Sequence, residues 1–152
     1  MSLLVKGPAT IIASRVATLL LIFAIVTLYL KHALFARGTV AISLQVAAAL
    51  LMLWARITFG MRSFHAAANP TEGGLVTTGP YRFMRHPIYA AILLFLWVGV
   101  LSSITLVNIL LGAIATIAIA VRIGAEETLV TARYPEYAAY AVRTRRIVPF
   151  LI

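Results

Sequence analysis

From Ile88 to Val121 the chain runs for 34 residues without a charged side chain. One helix of that length would extend about 51 Å at 1.5 Å per residue. A hydrocarbon core is roughly 30 Å thick, and tilt alone does not absorb such an excess. The stretch therefore has to break, and "LSSITLVN" (Leu101–Asn108) is its natural break. Two short helices in a hairpin are expected. Two more apolar runs precede them, Ala9 to Leu30 and Thr39 to Phe59, each long enough to span. The prediction is an all-α integral membrane helical bundle of about four transmembrane helices, the third and fourth a short hairpin.

Composition agrees with lipid as the main solvent. The chain has 152 residues, of which 62% are hydrophobic and 11% charged, against roughly 45–50% apolar residues in soluble domains. Too few polar groups remain to cover a soluble surface. A single domain over 1–152 is expected, with two spans in 1–60. A cleaved signal peptide is disfavoured, because Arg15 interrupts its apolar stretch and the run continues to Leu30. Near the end of a span Arg15 can snorkel to the interface.

The chain contains no cysteine, which excludes disulfides, thiolate metal sites and a cysteine nucleophile. His32, His65 and His86 are far apart and show no metal-ligand spacing, so no metal is predicted. The formal charge of +9 fits topology and contact with anionic membrane lipids. It does not point to nucleic acid, since the arginines flank apolar spans and do not gather on a polar domain. With four spans, Lys31 and Arg37 fall on one side, and the other eleven of the 13 basic residues, Lys6 and Arg62 among them, fall opposite. That bias places both termini in the cytoplasm.

The long polar segment, Gly60 to Pro87, ends in "TTGPYRFMRHPIYAAILLFLWVGV" (Thr77–Val100). His86 precedes Pro87 and is biased to extended backbone, while Pro87 suits the first position of a helix. Arg85 and His86 then lie near the unpaired N–H groups of that helix. The ordinary reading of such arginines is as interfacial anchors, and it applies equally to Arg143, Arg145 and Arg146. Glu126 and Glu127 are two of only four acids. Their ordinary reading is a charge at a helix start. Adjacent helical residues diverge by about 100°, so at most one of the pair is expected to face a pocket, with water or an arginine opposite the other. Beyond them Pro135 divides a mixed tail. Tyr137, Tyr140 and Ala141 share one face there, as in an interfacial helix folding back over the bundle and stopping at Pro149.

Taken together, "GPYRFMRHPIY" (79–89), "EE" (126–127) and "YPEYAAYAVRTRRIVP" (134–149), in this order around an apolar hairpin, resemble the isoprenylcysteine carboxyl methyltransferase family. That family is itself similar to the membrane phospholipid N-methyltransferases. The resemblance covers 75–152, the catalytic part; the first two spans match only in kind. The tail has Tyr134-Pro135 where the family pattern has Phe-Gly.

The resemblance implies S-adenosyl-L-methionine as cofactor, held in a cytoplasm-facing pocket that the C-terminal helix closes. His86, with Pro87 beside it, and Tyr89 match cofactor-contacting positions, and Gly79 and Tyr81 match the turn leading to them. Glu126 or Glu127 matches the acid near the cofactor's amino group or ribose. Tyr137 and Tyr140 match the closing tail, while Arg85 and Arg143 match arginines of acceptor chemistry. Methyl transfer from a sulfonium needs alignment and desolvation and no metal. Carboxylates and aromatic faces favour a cationic donor.

The acceptor is expected to be a lipophilic small molecule or a lipid-linked group. A carboxylate acceptor is already nucleophilic and needs cations to position it, which suits Arg85 and Arg143 and favours O-methylation. An amine acceptor, as in phospholipid N-methylation, would need a base. An NADPH-dependent membrane reductase of similar architecture and a non-catalytic membrane protein remain as rivals.

Overall fold

The structure, a computed structural model, describes residues 8–60 and 74–148. Lys6, Arg62, His65 and Pro149 lie outside the described residues. The order is α1 (Pro8–Leu30), α2 (Thr39–Phe59), a 3₁₀ turn (Gly79–Arg82), α3 (Pro87–Ser102), α4 (Leu106–Arg133) and α5 (Tyr137–Arg143). Strand geometry among the described residues is confined to an isolated parallel bridge between Met84 and Arg145.

The apolar runs set the helix limits. α1, α2 and α4 are each long and apolar enough to cross a membrane, and α3 is a shorter apolar helix of 16 residues. The expected break falls between α3 and α4. Thr105 caps α4 there, its hydroxyl accepting from the Asn108 amide at 3.1 Å.

α4 is not the short helix expected. It has 28 residues and continues past Val121 through Arg122, Glu126 and Glu127, about 42 Å at 1.5 Å per residue. Charges do not end it, because Arg122 and Glu126 pair one turn apart at 3.4 Å. What ends it is Pro135, which biases Tyr134 to extended backbone (φ −119°, ψ 102°).

α1 packs along α4 and α2 along α3, with a smaller contact between α3 and α4. Ala24 and Leu28 of α1, Leu96 and Val100 of α3, and Ala115 and Ile119 of α4 share one core. Lipid tails are as apolar as these side chains, so close van der Waals packing through small residues holds the helices together. Gly99 shows how close: a Cβ there would lie 2.2 Å from the Leu34 carbonyl oxygen. Leu19, Phe23, Val40 and Ile57 point outward, toward lipid in a membrane protein.

Gln45, the polar residue inside the second apolar run, secures the end of the bundle formed by the α1–α2 loop. Its side-chain oxygen accepts from the Ala36 amide at 2.9 Å. Its nitrogen donates to the carbonyls of Leu34 at 2.8 Å and Phe95 at 2.9 Å. Backbone groups with no water available are satisfied in this way.

Candidate active site

At the opposite end, the start of α3, the last third of α4 and the tail converge. Gly79 begins the approach with φ +56°, and a Cβ there would sit 2.5 Å from Thr58 Oγ1. A left-handed backbone and a close neighbour both call for glycine. Tyr81 is buried behind it, its ring centroid 5.4 Å from that of Phe59. Its carbonyl accepts the Tyr140 hydroxyl at 2.6 Å.

The tail docks through backbone. The Arg85 amide donates to the Arg145 carbonyl at 2.7 Å, and the His86 amide to that of Arg146 at 2.9 Å. The Arg85 side chain extends the seam. Its Nε donates to Glu127 at 2.9 Å, and its Nη1 donates to the carbonyls of Ala141 at 2.8 Å and Thr144 at 2.6 Å. Tyr137 and Tyr140 are buried beneath α5, their ring centroids 5.9 Å apart, and Ala141 is half-buried. Burial pushes the Tyr140 hydroxyl up to about 12. It likewise raises Tyr137 and Tyr81, with negative charge on Glu127 and Glu126 respectively adding to the effect.

Pro87 opens α3 as expected, and His86 occupies the N-cap position, but its side chain makes no capping bond. The ring instead lies between two carboxylates, with Nε2 3.3 Å from Glu127 Oε1 and Nδ1 3.7 Å from Glu126 Oε2. The ordinary reading of the two acids as a helix-start pair needs correction. Glu126 and Glu127 lie deep in α4. The imidazole's two nitrogens bridge their roughly 100° divergence.

Glu127 Oε2 also receives Arg146 Nη2 at 3.0 Å. The Tyr89 hydroxyl donates to Glu126 Oε1 and accepts from Arg122 Nε at 2.8 Å. Arg122 is buried in α4 and donates to the Thr18 hydroxyl of α1 as well. Sequence reasoning treated Arg122 as one cytoplasmic cation among many. Its signal was a charge four residues before Glu126 at the edge of an apolar run. Arg143 stands apart: exposed on α5, it donates to the Ala139 carbonyl of its own helix at 3.3 Å.

Two carboxylates, an imidazole and aromatic rings suit a ligand carrying positive charge and hydroxyl groups. Among the described residues, no three histidine, cysteine or acidic side chains gather as a metal site.

The model of the isoprenylcysteine carboxyl methyltransferase (ICMT) family matches residues 39–132, more than half of the chain. The chain belongs to the ICMT family. It is an integral membrane protein of a methyltransferase family. The ICMT match takes in the Gly79 turn, His86, Tyr89, Arg122 and both glutamates, and stops before α5.

Among curated proteins, the chain is similar to the nickel-cobalt-cadmium resistance protein NccN of Alcaligenes xylosoxydans xylosoxydans. The two are 42% identical over 79 residues, 51% of this chain and 37% of that protein. It is also similar to the cobalt-zinc-cadmium resistance protein CzcN of Cupriavidus metallidurans, 35% identical over 78 residues, 51% of this chain and 36% of that protein. The matched stretch thus spans little more than a third of either relative. No solved structure matches.

Proposed function

We propose that this ICMT-family chain is an S-adenosyl-L-methionine-dependent membrane methyltransferase that O-methylates a lipophilic carboxylate. The observation that carries the reading is His86 held between Glu126 and Glu127 beneath the docked tail. Glu126 lies 20 residues into α4, about 30 Å from its start, the depth at which a spanning helix leaves the hydrocarbon. A water-soluble cofactor and a membrane-dissolved acceptor can meet at that level.

In this reading α3 also spans, as the third of four, and both termini and the site face the cytoplasm. Lys31 and Arg37 flank the far end of the bundle, whereas Arg82, Arg85, Arg133, Arg143, Arg145 and Arg146 flank the site end, the asymmetry expected of a cytoplasmic face.

The side chains fit the cofactor. Glu126 would meet its positive charge or its hydroxyls, His86 would offer a ring nitrogen, and the Tyr89 face would lie beside the cation. When bound, S-adenosyl-L-methionine supplies an electrophilic methyl group on sulfur. Tyr137 and Tyr140 hold the tail over the site and exclude water, which strengthens each electrostatic contact inside. Arg85 is committed to Glu127 and the tail carbonyls, so its part is to keep the site closed. Arg143, exposed on α5, has room to meet an incoming carboxylate.

The test is incubation of detergent-purified protein with methyl-labelled cofactor and separate pools of long-chain carboxylates and amines. A base-labile methyl ester is expected. Base-stable label in the amine pool would reassign the chain to N-methylation.

A further inference from the structure

Arg122 is a cation inside the membrane part of the bundle. It lies 16 residues into α4, about 24 Å from the start of that helix and so within a hydrocarbon core of roughly 30 Å. An arginine there is costly unless paired, and in membrane proteins such residues mark working sites. Its bonds have a definite direction. A guanidinium only donates, so the Tyr89 oxygen, receiving Arg122 Nε at 2.8 Å, must send its own proton elsewhere. That proton goes to Glu126 Oε1, which Arg122 Nη2 also approaches at 3.4 Å. One oxygen of Glu126 is therefore fully engaged from the core side.

The other oxygen is not. Oε2 of Glu126 is 3.7 Å from His86 Nδ1, and among the described residues no hydrogen bond reaches it. Glu127 differs, since both of its oxygens are engaged, Oε1 by Arg85 and His86 and Oε2 by Arg146. Its side chain is 14% exposed against 26% for Glu126. The more accessible carboxylate is also the one with an open acceptor.

We propose that Arg122 is a positioning residue: acting through Tyr89, it locks Glu126 so that Oε2 faces the site as the acceptor for an ammonium or hydroxyl group of the ligand, while Glu127 serves to hold the tail. The proposal rests on the cofactor reading above.

The test measures the dissociation constant for S-adenosylhomocysteine and the melting temperature of the full chain in detergent. Arg122→Lys keeps the charge and loses the fork, and should weaken binding by about tenfold, the scale of coupled contacts. Gln45→Leu, which loosens the far end of the bundle, should lower the melting temperature and leave the dissociation constant unchanged. Tyr89→Phe and Glu126→Gln supply a cycle that does not depend on folding of the arginine variant. The double variant should bind no worse than Glu126→Gln alone.

Wild-type affinity in Arg122→Lys, additive losses in the cycle, or a larger loss in Glu127→Gln than in Glu126→Gln would each overturn the proposal. Failure of the wild-type chain to bind S-adenosylhomocysteine would overturn the cofactor reading, and the proposal with it.

Discussion

The backbone of Arg85 is paired to that of Arg145, amide to carbonyl at 2.7 Å, so the tail runs as a short parallel partner to the segment that delivers His86. The tail and the mouth of α3 are one structural unit. Anything that undocks the tail should therefore disturb the site.

Arg85→Met should do so directly. It removes the donor shared by Glu127, the Ala141 carbonyl and the Thr144 carbonyl. Breaking such a mostly buried pair costs on the order of 3 kcal/mol. Limited proteolysis should then cut near Tyr134-Pro135 far faster than in the wild type, and melting in detergent should report the lost stability.

Gly79→Ala should destabilise the same end from the other side. The left-handed backbone alone costs a non-glycine residue about 1–2 kcal/mol, and the new Cβ would press on Thr58. Adding Thr58→Ala, which removes the hydroxyl nearest the new Cβ, should recover most of the steric part and leave the backbone part, which a double-mutant melting series would resolve.

Alkaline pH should release the tail. Tyr140 ionises at about 12 when folded, against its ordinary 10.0, because burial disfavours the phenolate, and Tyr137 and Tyr81 are raised for the same first reason. The stability they contribute is complete below about pH 10 and is lost as pH rises from there toward the folded values. Melting temperature against pH should stay level up to that point and then fall. Tyrosinate absorbance should lag behind that of the unfolded chain.

Arg143→Ala should behave in the opposite way to Arg85→Met. Its side chain is exposed and bonds within its own helix, so melting should be unchanged. If it meets the acceptor carboxylate, turnover should drop by about tenfold or more with cofactor affinity retained, the scale of a lost charge-assisted hydrogen bond.

The sequence made the helices legible wherever apolar length decided them. α2 runs from Thr39 to Phe59 as the hydropathy implied, and Leu101–Asn108 holds the α3–α4 break. The extent of α4 was hidden because Arg122, Glu126 and Glu127 look like the end of an apolar run. In the fold Arg122 and Glu126 pair with each other and with Tyr89 of α3, and Glu127 pairs with Arg85, His86 and Arg146, so the helix continues. That His86 and the acidic pair meet was legible only through the family resemblance, since sequence spacing carries no information on how the start of α3 is placed against α4. Arg143 was grouped with Arg85 by motif alone, and only tertiary structure separates the tail's clamp from its exposed cation.

The central claim is a cofactor site built around His86, and calorimetric titration of detergent-purified chain tests it most directly. The wild type should bind S-adenosylhomocysteine saturably and not NADPH, and His86→Ala should lose that binding while keeping its fold. Binding of NADPH alone, or undiminished S-adenosylhomocysteine binding by folded His86→Ala, would contradict the account.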